Sequence, residues 1–203
     1  MFVNLEHKKC LVAGGGTVAL RKVQVLRDFG AEVTVVAPEI MDRIREIPSV
    51  VCVERKFRKE DMEGCALVVA ATNEKTENHR IASLASEEKI PVNAVDQVED
   101  CSFIFPSYVK KRELVAAFSS GGQSPVMTQY LKESVLDILT DELGALSECL
   151  GSIREEVKAS VAEESERKKV YREILSIGLS QETLPTREQM ERVINQYRRK
   201  TAD

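Results

Sequence analysis

Between Lys9 and about Lys110, short wholly apolar runs alternate with stretches in which apolar residues recur every three to four positions. The runs are Leu11-Val-Ala13, Val33-Thr-Val-Val36, Val50-Val-Cys-Val53, Leu67 to Ala71 and Pro91 to Val95. Runs this short, with apolar residues at both odd and even positions, predict strands covered on both faces, as in a parallel sheet. The intervening pattern predicts helices from Val18 to Phe29, from Glu39 to Glu46 and from Thr76 to Glu88, with a short turn around Glu60. Strand and helix in alternation predict a doubly wound α/β domain. Two later strands, Cys101 to Val109 and Glu113 to Phe118, read as a hairpin around Lys110-Lys-Arg112 that ends the sheet or leaves it.

After Ser119 the pattern becomes helical throughout, with no proline between Pro125 and Pro185. Leu131, Val135, Ile138 and Leu139 form one apolar stripe; Leu146, Leu150, Ile153 and Val157 form another, continued by Ile174 and Ile177. Such stripes must be covered, and a second subunit is the expected partner, the alternative being the α/β domain of the same chain.

Composition narrows the class. A chain of 203 residues buries enough surface to fold without staples, and its five cysteines are scattered with no Cys-x-x-Cys pair, so neither a disulfide framework nor a thiolate zinc site is expected. His7 and His79 have no ligand-spaced partner, so no resident metal is expected. A net charge of −4, no tryptophan and 5% aromatic residues argue against a nucleic-acid partner. The start Met1-Phe-Val-Asn-Leu-Glu has no basic-then-apolar leader, and no run reaches the length of a membrane span, so a cytoplasmic protein is expected.

The most specific chemistry lies directly behind the first apolar run. Gly14, Gly16 and Ala19 form a Gly-x-Gly-x-x-Ala turn that leads from a strand into a helix stopped by Gly30. Gly14 permits the tight turn, Gly16 leaves the backbone open to a pyrophosphate, and Ala19 lets helix and strand approach. The helix opening near Thr17 then presents free N–H groups to phosphate. At the end of the second strand stands Pro38-Glu39, where a carboxylate holds the ribose of NAD; Glu39 either takes that role or only begins the next helix. No arginine stands at that strand end for a 2′-phosphate, so NAD is favoured over NADP.

Three more segments qualify. Ala70-Ala-Thr72-Asn73 closes the fourth strand with small residues that let a cofactor lie against the sheet edge. Asn93-Ala-Val-Asp96 closes the fifth at the edge where open α/β sheets bind ligands, which makes Asp96 the general-base candidate or, alternatively, a turn cap. Ser119-Ser-Gly-Gly-Gln-Ser-Pro125 is a Gly-rich turn opening a helix, with Ser120, Gly121 and Ser124 as candidate carboxylate receptors, or else a hinge.

Taken in order, Gly14 to Lys22, Val33 to Pro38, Val68 to Asn73, Val92 to Asp96, Ser102 to Ser107 and Ser119 to Pro125 resemble the precorrin-2 dehydrogenases, which also form the amino-terminal half of siroheme synthases. The resemblance covers about residues 1–150. It implies a Rossmann-type domain (1–112), a dimerisation region (113–150) and a helical domain (151–203) in a homodimer. It further implies NAD-dependent oxidation of precorrin-2 to sirohydrochlorin, with nucleotide contacts from Thr17, Val18, Pro38 and Glu39 and with Asp96 catalytic; Thr72, at the end of the fourth strand, is a further candidate cofactor contact. Asn93, Ser120, Gly121 and Ser124 would then meet the tetrapyrrole. Its carboxylates call for cations, and Arg21, Lys22, Arg80, Lys110, Lys111 and Arg112 are available. Some members also insert ferrous iron, which the residues here leave open. Two other readings stay open: a nucleotide-sensing module without catalysis, and a dehydrogenase of another small substrate.

Overall fold

Five parallel strands form one sheet in the order β3-β2-β1-β4-β5: β1 (Lys9–Ala13), β2 (Glu32–Ala37), β3 (Val50–Glu54), β4 (Leu67–Ala70) and β5 (Val92–Ala94). The computed structural model describes residues 2–181 and 183–200, the side chains of 199 and 200 excepted. Ala13 is in register with Val36 on one side and Ala70 on the other, so the carboxyl ends of the three central strands are level. The chain winds outward from β1 to β3, then crosses back to β4, which puts a topological switch point between β1 and β4.

Alternate residues of β1 divide the core. Cys10 and Val12 face the layer containing α1 (Thr17–Asp28), which buries Ala19, Leu20, Val23 and Leu26. Leu11 and Ala13 face the layer containing α3 (Lys75–Glu87), which buries Ile81, Ala82 and Ala85. Helix α1 ends as its sequence predicts: Gly30 has φ +75°, its N–H donates to the Arg27 carbonyl, and the Ala31 N–H reaches back to Leu26.

Several elements depart from the expected pattern. β3 is half exposed, with Val51 at 59%, because it is an edge strand with a single strand neighbour, whereas the other edge strand, β5, is covered by residues 101–105. The helix expected from Glu39 to Glu46 contracts to one turn, α2 (Asp42–Arg45), because the chain before it bends at Pro38 and Glu39 and is tied to the glycine turn by a bond from the Met41 N–H to the Gly15 carbonyl. The hairpin starts at Ser107 rather than Cys101. Residues 101–105 are instead tied to β5, where the Ser102 N–H donates to the Val92 carbonyl and the Val92 N–H to Ser102 Oγ, both at 2.8 Å.

The chain divides into compact units after Phe105, which keeps the hairpin β6 (Ser107–Lys111) and β7 (Leu114–Phe118) whole within the second. That unit continues through α4 (Pro125–Leu136), α5 (Asp141–Ser152), α6 (Arg154–Ser160), α7 (Glu164–Gln181) and α8 (Arg187–Lys200). The two apolar stripes behave differently. Ile153, Val157, Val161, Val170, Ile174 and Ile194 bury one another, so α6 to α8 form their own core and need neither a second subunit nor the α/β domain to cover them. Helix α4 buries no residue: Val126 is 79% exposed and Tyr130 63%.

Candidate active site

The turn after β1 contains three consecutive glycines, each for a different reason. Gly14 has φ +132°, and a Cβ there would stand 2.1 Å from the carbonyl oxygen of Ala71. Gly15 lies in contact with the next strand connection, where a Cβ would stand 2.1 Å from the Glu39 carbonyl oxygen. At Gly16 a Cβ would meet nothing within 4 Å. Packing therefore accounts for Gly14 and Gly15, while Gly16 borders open space at the start of α1. Gly16 is the N-cap of α1 and supplies no side-chain bond, so the first N–H groups of a twelve-residue helix face that space without a side-chain acceptor.

A 650 Å³ cleft opens at this point, a size within the usual range for a small-molecule site. Its walls are the glycine turn, residues 36–41, residues 71–74 and four side chains further on, Lys56, Phe57, Glu77 and Arg80. Pro38 and Glu39 are exposed in it, and among the described residues the Glu39 carboxylate has no hydrogen-bond or ionic partner. Thr72 is held by Asn78, whose Oδ1 accepts from the Thr72 N–H at 2.9 Å and from Oγ1 at 2.7 Å. This fixes the small-residue edge of β4. Thr17 and Val18 lie just behind the turn on α1, outside the lining; Val18 is 40% exposed and Thr17 Oγ1 is 3.9 Å from Met41 Sδ.

Lys56 and Phe57 were not legible as site residues, and Arg80 was expected only as a cation for substrate carboxylates, since nothing in the sequence places the end of β3 and the second turn of α3 on one cleft. Arg80 forks onto Glu77 at 2.7 and 2.8 Å and lies 5.4 Å from the centre of the Phe57 ring. The hydrogen bonds hold the Glu77 carboxyl below the ordinary glutamate range and push the Arg80 guanidinium up. Arg45 turns to Glu54 and Asp42.

The end of β5 carries the second cluster. Asn93 is buried, and its amide donates to the Phe103 carbonyl at 3.0 Å, which clamps residues 101–105 to the strand. Cys101 Sγ lies 3.2 Å from the Ala94 carbonyl and N–H and from the Gln97 carbonyl. Asp96 is exposed with φ +59°, a left-handed conformation that costs a non-glycine residue about 1 kcal/mol or more. Among the described residues its carboxylate accepts no hydrogen bond, so it caps no turn, and the strain is not offset locally. Neither Asn93 nor Asp96 lines the cleft; Asn93 lies on β5, the strand next to β4, and Asp96 in the turn that follows it.

Ser120, Gly121 and Ser124 belong to the second unit. Gly121 has φ +63°, Ser120 Oγ accepts from the Ser124 N–H at 2.9 Å, and Ser124 Oγ caps α4 through the Met127 N–H. His79 Nδ1 lies 2.9 Å from the Asp100 carboxylate. Among the described residues no group of three or more His, Cys, Asp or Glu is placed to hold a metal, and no helix is long and apolar enough to cross a membrane.

A doubly wound sheet whose switch point opens on a glycine turn, a free helix start and an unpartnered carboxylate at the end of β2 defines a nucleotide-binding protein of the Rossmann class. A family model described as putative NAD(P)-binding matches residues 1–107, and the chain belongs to that family. It is 32% identical over 179 residues to a siroheme synthase of Vesicomyosocius okutanii, an alignment spanning 87% of this chain and 38% of that protein. It is 38% identical over 178 residues to siroheme synthase 3 of Aeromonas hydrophila, spanning 86% and 38%. The chain thus covers about two fifths of the length of these relatives. A solved structure of SirC, precorrin-2 dehydrogenase, superposes with a TM-score of 0.78 over 98% of both chains at 21% identity, which shows a shared fold.

Proposed function

We propose that this protein oxidises precorrin-2 to sirohydrochlorin with NAD. The observation that carries the reading is Asp96: a strained, exposed carboxylate without a local partner, in the turn after the strand beside a cleft whose glycine turn leaves room for a pyrophosphate. The names of the relatives and of the structural neighbour agree with this chemistry.

In the proposed mechanism Gly16 and the first N–H groups of α1, with Thr17 and Val18 beside them, receive the pyrophosphate, and Glu39 beside Pro38 accepts from the adenosine ribose hydroxyls. Thr72 borders the same cleft. Among the described residues the arginine that lines the cleft, Arg80, is committed to Glu77, and Arg45 is engaged by Glu54, which favours NAD over its 2′-phosphorylated form. When bound, NAD supplies the hydride acceptor. Oxidation takes two hydrogens from the macrocycle, one leaving as hydride and the other as a proton; Asp96 takes the proton and passes it to water. Asn93 positions the segment that flanks Asp96. Ser120, Gly121 and Ser124 offer hydroxyl and N–H groups of the kind a substrate carboxylate accepts.

The working form is a cytoplasmic homodimer in this reading. The support for the homodimer is α4, where Val126, Met127, Tyr130 and Leu131 are exposed together on one helix, a clustering of apolar side chains of the kind that marks a subunit interface. Mixing the protein with NAD and enzymatically generated precorrin-2 tests the activity: sirohydrochlorin absorption and NADH should rise together, and a protein that binds NAD yet leaves precorrin-2 unchanged contradicts it.

A further inference from the structure

Of the six cations available for substrate carboxylates, several are already engaged. Arg80 is committed to Glu77, Lys111 to Asp141 at 2.8 Å and Arg112 to Glu148 at 2.5 Å. Arg21 is exposed on α1, and Lys110 lies on β6 in the second unit and has an interaction of its own. Lys22 differs. It is half-buried, and among the described residues it has no carboxylate partner; its ammonium instead sits 4.0 Å from the centre of the Phe105 ring. Phe105 in turn stacks on Phe103, ring centres 5.3 Å apart, and Phe103 is the residue whose carbonyl Asn93 holds.

We propose that Lys22 is the receptor for one carboxylate of the tetrapyrrole, an assignment that rests on the precorrin-2 reading above. Lys22 is the sixth residue of α1, about 8 Å along the helix from the N–H groups that face the cleft. The Phe105 ring brings its ammonium to the segment clamped on the carboxyl end of β5, the strand that leads into Asp96. The charge thereby sits where α1, which starts at the dinucleotide turn, meets the segment that follows Asp96 in the chain, on the face of the sheet that α1 covers. An aromatic face supports a cation without neutralising it, so the charge stays free for an incoming anion. Burial draws the Lys22 ammonium down from the ordinary lysine value. A carboxylate arriving beside it relieves that penalty, and a half-desolvated ion pair is stronger than one in open water.

A substrate anchor predicts a different response from a packing staple. Sirohydrochlorin binding, followed by quenching of its fluorescence, and NAD binding by calorimetry are to be measured on the parent, Lys22→Met and Lys22→Arg, each with a thermal melt. Lys22→Met keeps the stem and ring contact but removes the charge. It should weaken sirohydrochlorin binding by about 10- to 100-fold, the range of a lost charged hydrogen bond, and raise KM for precorrin-2 more than it lowers kcat. NAD affinity and melting temperature should stay near the parent, and Lys22→Arg should recover most of the binding. Lys22→Met binding sirohydrochlorin as tightly as a parent that binds it well overturns the assignment and leaves the activity standing. A loss shared equally with NAD binding or stability shows a structural staple and overturns it too. A parent that binds neither precorrin-2 nor sirohydrochlorin removes the functional reading, and this assignment with it.

Discussion

A Cβ on Gly15 would stand 2.1 Å from the backbone carbonyl oxygen of Glu39, whereas one on the adjacent Gly16 would touch nothing within 4 Å. Neighbouring glycines thus separate folding from binding. Gly15→Ala forces backbone against backbone and should cost about 1–3 kcal/mol, a fall of roughly 2–4 °C in melting temperature per kcal/mol for a chain this long. Gly16→Val should melt near the parent and lose most of its NAD affinity by calorimetry. Equal NAD affinity in Gly16→Val and the parent contradicts the placing of the pyrophosphate.

Asp96 allows a similar separation. Asp96→Ala should lower turnover by about 10² to 10⁴, the usual worth of a positioned acid or base, with NAD affinity unchanged. Asp96→Gly should be as inactive yet melt no lower than Asp96→Ala, because glycine adopts φ +59° without steric cost. If Asp96→Ala keeps its turnover, Asp96 has no part in the proton transfer and positioning alone drives the reaction.

Helix α4 predicts assembly. The parent should sediment as a dimer at micromolar concentration, and Leu131→Glu, which puts a charge on the uncovered face, should shift it toward monomer. A parent that is monomeric at every concentration in the ultracentrifuge contradicts the dimer.

Cys10 is 1% exposed, and burial, with Cys65 nearby, pushes its thiol from 9.0 up to about 12. It should therefore resist iodoacetamide at mildly alkaline pH until the chain unfolds, as peptide mass mapping can show. Because the folded pKa is the higher one, the neutral buried thiol contributes its full stability below about pH 9 and loses it as pH rises toward 12. Cys10→Ala should flatten that part of the alkaline decline in stability. Ready alkylation of Cys10 in the folded protein contradicts the burial.

The sheet was legible because each parallel strand is buried on both faces and so spells itself as an apolar run; only β3 misled, since an edge strand with the same letters is half in water. Gly14, Gly16, Glu39 and Thr72 could be placed on one strand-end edge from spacing alone, because a βαβ unit fixes where strands end. Gly15 could not, as its need for a bare Cα comes from Glu39, a contact made only after β2 folds alongside β1. Lys56 and Phe57 were hidden for the same reason, and Arg80, read as a cation for the substrate, could not be assigned to this cleft, because tertiary packing brings all three there. The helical stripes were read correctly as apolar, but periodicity does not name what covers a stripe. Ile153, Val157 and Ile174 turned out to cover each other, while α4 packs on the hairpin yet leaves Val126 and Tyr130 largely exposed.

The most direct measurement is a single turnover of precorrin-2 by excess protein with NAD, in the parent and in Asp96→Ala, recording NADH and sirohydrochlorin in the same sample. The account predicts that the parent forms both in equal amounts and that Asp96→Ala, with NAD bound as tightly, forms them at least about 100-fold more slowly. A parent that binds NAD but yields neither product contradicts it.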